Sequence, residues 1–421
     1  MEEVIKINGG NLLEGKIKVS GAKNATVALI PAAVLAYEKV TIVGIPNISD
    51  VRSLKEILEY MNVKVTTPSL DEIVIDPSEM INKPLMIDAV SKLRASYYFM
   101  GALLGKYKHV SIKMPGGCNL GPRPIDLHLK GFEALGANIE YRDDNYILTA
   151  DRLIGTRIYL DFASVGATIN ILMAAVYAEG ETIIENAARE PEIIDCITLL
   201  NEMGANISGG GTSRITIRGV EKLKGCFHEI IPDRIEAGTY IILASAMAKD
   251  VTIENVIPHH LESLISKLKE IGVDLQADLD KVRIVNATNN LTKANIKTMP
   301  YPGFATDLQA PLTTLLTQAK GNSTITETIY AARFKHCEQL NKMGANIIIN
   351  SPSATIVGPT KLTGTDVWAT DLRCGAALVV AGLIASGTTT IHDIYHIDRG
   401  YEDIVSKLAN LGADIHREII D

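Results

Sequence analysis

Residues 261–275, LESLISKLKEIGVDL, set apolar side chains at Leu261, Leu264, Ile265, Leu268 and Ile271 and then stop at Gly272. That spacing predicts a helix with one apolar face, ended by a residue able to take positive φ. Val273-Asp274-Leu275 then opens a strand. The same junction recurs at Asn62-Val63, Gly136-Ala137, Gly204-Ala205, Gly344-Ala345 and Gly412-Ala413, at separations of 68 to 74 residues. A period this long is not a short solenoid; each copy must hold several secondary elements.

The copy from Ile215 to Ile284 is the clearest. Ile215-Thr216-Ile217 alternates as a strand. Leu223-Lys224-Gly225 makes a turn, and a second strand is expected near Glu229–Ile231. After Pro232-Asp233 an apolar helix runs from Ala237 to Ala248, then a strand from Val251 to Asn255, then the amphipathic helix. The strand before that helix recurs as Val40-Thr41-Ile42, Val110-Ser111-Ile112, Thr182-Ile183-Ile184, Thr324-Ile325-Thr326 and Thr390-Ile391. The Leu-x-Gly turn recurs at Leu13, Leu153 and Leu362. Each copy thus pairs one amphipathic helix with one apolar on every face, and the latter must be buried. Gly209-Gly210-Gly211 reads as a hairpin turn, not a phosphate loop.

The last copy ends without a full strand pair, and the first 20 residues contain one: Val4–Ile7 and Lys16–Val19. The simplest closure joins them. We therefore expect one domain at residues 22–231 and a second, discontinuous one at 1–21 and 232–421, with three copies each. Buried helices inside and sheets outside make two inverted α/β barrels; a layered α/β sandwich fits the pattern almost as well.

The chain has 421 residues, 47% of them apolar, enough for large cores. A net charge of −8 argues against nonspecific nucleic-acid binding, though a few fixed cations can still hold a small anion. Cys118, Cys196, Cys226, Cys337 and Cys374 form neither a disulfide framework nor a zinc pattern, which points to a reducing cytoplasm. No signal-like apolar run follows Met1-Glu2-Glu3, and the most apolar stretches are too short to span a bilayer. No metal or organic cofactor is expected, and the chain is expected to be a monomer.

The six buried helices begin at Lys23-Asn24, Lys92-Leu93-Arg94, Ser164-Val165-Gly166, Asp233-Arg234, Thr306-Asp307 and Asp371-Leu372-Arg373. Ser164 and Asp233 suit capping. Capping does not explain Lys23, Arg94 and Arg373, because cations there oppose the helix dipole and call for negative partners. A cleft between the domains is a natural place for such partners, since helix starts suit anions. The second copy carries an unusual loop, Pro115-Gly116-Gly117-Cys118-Asn119-Leu120-Gly121-Pro122-Arg123-Pro124. A thiol on a glycine-rich loop with a guanidinium nearby is a candidate reactive group. The other cysteines sit in ordinary element positions and read as structural.

With these motifs in view, the chain resembles the UDP-N-acetylglucosamine enolpyruvyl transferases from end to end. The motifs are Ser20-Gly21-Ala22-Lys23-Asn24, Leu93-Arg94-Ala95-Ser96, the Pro115–Pro124 loop, Ser164-Val165-Gly166-Ala167-Thr168, Ala188-Arg189-Glu190-Pro191-Glu192, Pro232-Asp233-Arg234-Ile235-Glu236, Thr306-Asp307-Leu308-Gln309, Ala369-Thr370-Asp371-Leu372-Arg373 and Tyr395-His396-Ile397-Asp398-Arg399-Gly400. The related 5-enolpyruvylshikimate-3-phosphate synthases share the repeats but lack the cysteine loop. The resemblance implies two inverted barrels facing one cleft. It implies transfer of the enolpyruvyl group of phosphoenolpyruvate to the 3′-hydroxyl of UDP-N-acetylglucosamine, the first committed step of peptidoglycan synthesis.

Residue by residue, it implies Lys23, Asn24, Arg123, Arg373 and Arg399 on phosphoenolpyruvate. It implies Arg94, Arg123, Pro124, Ile125, Asp126, Leu127, Ser164, Val165, Gly166, Asp307 and Ile329 on the nucleotide sugar. Catalysis would fall to Cys118, Asp307, Lys23 and Arg399, with Cys118 also able to carry a thioketal adduct of phosphoenolpyruvate. Cys118 implies sensitivity to the epoxide fosfomycin, and its loop is the expected lid. Two departures bear on affinity: Phe162 stands where some members have lysine, and Ala331-Ala332 replaces bulkier polar residues.

Overall fold

The computed structural model describes residues 1–114, 125–287 and 290–420. The described residues divide into two compact units, one of residues 21–114 and 125–231, the other of residues 1–20 with 232–287 and 290–420. Each has its own apolar core.

Among the described residues each unit holds three sheets. A typical one runs Arg157–Tyr159, Glu181–Glu185, Arg214–Arg218, Asn206–Ser208 across its width, with the first pair parallel and the rest antiparallel. The other sheets repeat this plan. In the sheet of His109–Lys113 the parallel neighbour shrinks to a single bridge from Leu85 to Ile112. Buried and open side chains alternate along Arg214–Arg218, as a sheet with one face on a core requires. Glu2–Asn8 lies between Thr388–His392 and Asp414–Ile420, antiparallel to both, where the other sheets place the second strand of a hairpin. Two distant segments thereby complete the last copy.

The repeat junctions have one backbone solution. Asn62, Gly136, Gly204, Gly272, Gly344 and Gly412 all have φ between 63° and 103°. The following N–H returns to a carbonyl five residues back in every copy, for example Val273 to Leu268 at 2.9 Å and Ala413 to Leu408 at 3.2 Å. This is the Schellman ending, which satisfies carbonyls the helix leaves open. Asn62 is the one non-glycine, a residue that tolerates this region.

The two helix types separate cleanly. Val165–Ala175 buries every residue from Gly166 onward, and Leu372–Ile384 every residue from Arg373 to Leu383. Glu262–Glu270 buries only Leu264, Ile265 and Leu268. Glycines let the central helices approach: a Cβ at Gly101 would lie 2.2 Å from the carbonyl oxygen of Asn170, and one at Gly105 2.6 Å from that of Met173. The architecture is α/β, with helices enclosed and sheets outside, in two inverted units. The strand expected near Glu229–Ile231 instead occupies Phe227–Glu229, because Ile231 and Pro232 already form the crossing between the units. Gly209 and Gly211, both at positive φ, turn the hairpin as expected. No helix among the described residues is long and apolar enough to cross a membrane.

Candidate active site

Three of the buried helices are capped by side chains. Ser164 Oγ accepts the Ala167 N–H at 3.2 Å. Asp233 Oδ1 accepts Ile235 and Glu236 N–H groups at 2.7 and 3.0 Å, and Asp371 Oδ1 accepts those of Arg373 and Cys374 at 2.9 and 3.1 Å. The other three begin with no such cap, at Lys23, at the Arg94–Tyr97 turn and at the Thr306–Leu308 turn. Lys23 and Arg94, two of the charges that capping could not explain, stand at these uncapped starts.

In the Gly21–Ile231 unit, Lys23 Nζ lies 3.2 Å from Asp50 Oδ2, with side chains only 15% and 6% exposed. Asp50 stands in the first turn of the Ser49–Tyr60 helix, so the negative partner that Lys23 required comes from a neighbouring helix start. The Arg94 guanidinium sits over the Tyr97 ring at 5.8 Å, within cation–π range. Tyr97 meets His128 edge-on at 4.8 Å. Burial, followed by the charge of Arg94, pushes the His128 imidazole down to about 3, so it is neutral.

Asn170, fully buried, fixes this corner. Its amide donates to Tyr97 O at 2.9 Å and to His128 Nδ1 at 2.9 Å, and its Oδ1 accepts Gly101 N–H at 2.8 Å. A Cβ on Gly166 would come within 2.7 Å of the Tyr97 hydroxyl and 2.9 Å of His128 Cε1, so this helix start must be glycine for the rings to close on it. Asn170→Ala removes one side chain from two buried polar groups and one half-buried carbonyl. It should destabilise the protein by about 2–4 kcal/mol. The check is a lower urea midpoint at unchanged m-value.

In the other unit, Asp307 is the focus. Its Oδ1 lies 2.6 Å from Arg333 Nη2 and its Oδ2 3.3 Å from Arg373 Nη2. Both arginines are 6% exposed. Arg373 also reaches the Tyr401 hydroxyl at 3.5 Å, and that hydroxyl bonds Thr239 Oγ1 at 2.8 Å. Burial pushes the Asp307 carboxyl up. Arg373, Arg333 and Arg234 more than reverse this and hold it far below the carboxylate range. For Arg373, burial acts downward and the Asp307 charge outweighs it, so the guanidinium is raised and stays charged. A carboxylate so placed can accept hydrogen bonds and organise cations at all ordinary pH values. Arg399, half-buried, lies near His396; burial first, then the Arg399 charge, lowers the His396 imidazole.

Comparison with known proteins places the whole chain. The model of the EPSP synthase (3-phosphoshikimate 1-carboxyvinyltransferase) family matches residues 7–408. The chain belongs to this family. Within it, the chain is 57% identical over 416 residues to a UDP-N-acetylglucosamine 1-carboxyvinyltransferase 2 of Bacillus anthracis, covering 99% of this chain and 97% of the relative. It is 56% identical over 416 residues to the protein of that name from Bacillus subtilis (strain 168), with the same coverage. The enolpyruvyl transferase NikO from Streptomyces tendae superimposes with a TM-score of 0.91 at 27% identity, covering 100% of both chains. EPSP synthase from Acinetobacter baumannii, at 20% identity, covers 99% of this chain and 100% of its own with a TM-score of 0.77, a likeness of fold. The family resemblance carried by the sequence motifs is therefore borne out.

Within this enolpyruvyl transferase scaffold, the structure joins Asp307 to Arg373, and Arg94 to the Ser164–Gly166 helix start through Tyr97 and His128. Asn24, Val165, Leu127 and Ile329 are half-buried, Ile125 is buried and Asp126 opens its helix exposed. Cys118, Arg123 and Pro124 lie outside the described residues. Phe162 is exposed.

Sequence reading gave no role to Asp50, His128, Asn170 or Arg333. The demand of Lys23 and Arg373 for anions was a usable signal for two such contacts. Nothing in local spacing marks Arg333, which meets Asp307 only through the fold.

Proposed function

We propose that the protein transfers the enolpyruvyl group of phosphoenolpyruvate to the 3′-hydroxyl of UDP-N-acetylglucosamine and releases inorganic phosphate, serving the first committed step of peptidoglycan synthesis. The observation that carries this reading is 57% identity across 99% of the chain to relatives named for that transfer, together with the intact set Lys23, Cys118, Asp307 and Arg399.

The chemistry is addition followed by elimination. A proton added to C3 of phosphoenolpyruvate makes C2 electrophilic. The sugar hydroxyl oxygen bonds C2 and gives up its proton, forming a tetrahedral phospho-ketal. Loss of a C3 proton and departure of phosphate from C2 restore the double bond. Cys118 serves as the proton donor to C3 and can itself add to C2 as a thioketal; Asp307 receives the proton of the sugar hydroxyl. Lys23, Asn24, Arg123, Arg373 and Arg399 hold the phosphate and carboxylate of phosphoenolpyruvate. Arg94, Arg123 to Leu127, Ser164 to Gly166, Asp307 and Ile329 hold the nucleotide sugar. Residues 22–231, with the Cys118 loop, and residues 1–21 with 232–421 are the functional domains of a cytoplasmic monomer whose partners are these two small molecules.

The test is phosphate release on mixing the protein with both substrates, against omission of either. We expect release only with both, and none when shikimate 3-phosphate replaces the nucleotide sugar. Release with shikimate 3-phosphate would move the assignment to the other branch of the family. Tight nucleotide-sugar binding without release would make the chain a binding protein.

A further inference from the structure

Glu327 is 1% exposed and follows directly on the Gly321–Thr326 strand. Its Oε1 accepts Thr298 Oγ1 at 2.7 Å, Ile329 N–H at 2.8 Å and Tyr330 N–H at 3.1 Å. Its Oε2 accepts Thr306 Oγ1 at 2.8 Å. Four hydrogen bonds from the chain's own groups, three on Oε1 and one on Oε2, hold this buried carboxylate in one orientation.

The hydrogen bonds have a direction. The single Thr306 proton goes to Glu327, so the Thr306 oxygen is left to accept, and Arg333 Nη1 donates to it at 2.9 Å. That bond turns the Arg333 guanidinium so that its other terminal nitrogen meets Asp307 Oδ1 at 2.6 Å. The Arg333 guanidinium also lies over the Tyr330 ring at 5.4 Å, and Tyr330 belongs to the turn that Glu327 ties down. One carboxylate thereby orients the arginine on Asp307 and shapes the turn that presents Ile329.

We propose that Glu327 is a positioning residue for the transfer reaction, acting on Asp307 through Thr306 and Arg333 and on the nucleotide-sugar site through the turn at Ile329. This rests on the function proposed above. The two arms are separable: Thr306 belongs only to the first, whereas Glu327 serves both.

The experiment compares Thr306→Val, Thr306→Ser and Glu327→Gln. Valine keeps the shape of threonine and removes the hydroxyl; serine keeps the hydroxyl. Thr306→Val should lower kcat about tenfold or more, as a misplaced reacting group does, with little change in KM for the nucleotide sugar. Thr306→Ser should restore most of that loss. Glu327→Gln offers fewer acceptor positions and should lower kcat and also raise that KM.

A second readout needs no turnover: the 13C chemical shift of the Asp307 carboxyl at neutral pH, assigned by its disappearance in Asp307→Asn. It should change in Thr306→Val and stay in place in Thr306→Ser. If Thr306→Val matches Thr306→Ser in both kcat and carboxyl shift, the relay is wrong. If the unmodified protein releases no phosphate, the reaction assignment fails, and the carboxyl shift alone decides the relay. Should Glu327→Gln not fold, the Thr306 pair still decides it.

Discussion

Replacing Asp307 by Asn should lower kcat roughly 10²- to 10⁴-fold, the usual worth of a general base. The change keeps the shape and one acceptor oxygen but removes the charge that holds Arg333 at 2.6 Å and Arg373 at 3.3 Å. Two guanidinium groups at 6% exposure then lose the anion they share. Breaking a buried pair costs about 3–5 kcal/mol. Asp307 keeps 23% of its side chain exposed, so the stability loss should fall at or below the lower end of that range.

The pH dependence separates this from a generic defect. The Asp307 carboxyl is depressed in the folded state. Its stabilisation is therefore present above the unfolded carboxyl pKa of about 3.9 and is lost as pH falls through the folded value. The stability gap between the unmodified protein and Asp307→Asn should be flat from about pH 5 to 8 and narrow only below about pH 4. Denaturant midpoints across that range check it. A gap that closes near neutrality would mean that the carboxyl is not held by its arginines.

The architecture was legible because it rests on local rules repeated six times. A residue that accepts positive φ after an apolar helix face has few meanings, and Gly136, Gly204, Gly272, Gly344 and Gly412 carry the same meaning. Repetition turned a weak signal into a strong one. The Leu-x-Gly turns show the same logic. Leu153, Leu223 and Leu362 are buried, and a Cβ on Gly155, Gly225 or Gly364 would strike a carbonyl oxygen at 2.5, 2.2 or 2.3 Å.

Within the candidate site, what could be read was the electrostatic deficit. Lys23 and Arg373 sit where a helix dipole disfavours cations, so each needed an anion. Which anion could not be read. Asp50 and Asp307 lie far from them in sequence, and only packed helix starts bring them near. The roles proposed for Glu327 and Thr306 were hidden for a further reason. Both occupy ordinary strand-end and helix-start positions, and their importance lies in hydrogen-bond direction, which has no periodicity.

Cys118→Ala should abolish phosphate release, by roughly 10²-fold or more for loss of a general acid, and should also abolish inactivation by fosfomycin. In that inactivation a thiolate sulfur bonds an epoxide carbon as the carbon–oxygen bond breaks. None of the other cysteines is placed to substitute. Cys196, Cys337 and Cys374 are buried, and Cys226 is partly so. Burial pushes the thiols of Cys226 and Cys374 up to about 11 and that of Cys337 to about 12, and raises Cys196 further. Near neutral pH each is a thiolate in only a trace fraction, and the thiolate is the reactive form.

Brief iodoacetamide treatment of the folded protein should therefore add one label, at Cys118, and Cys118→Ala should take none. Cys118→Asp divides the two roles of the thiol. A carboxyl can still donate a proton, so part of the turnover should return, while fosfomycin and iodoacetamide find no sulfur. Full turnover in Cys118→Ala would remove Cys118 from the reaction. Inactivity of Cys118→Asp in a folded protein would shift its role from proton transfer to covalent attachment.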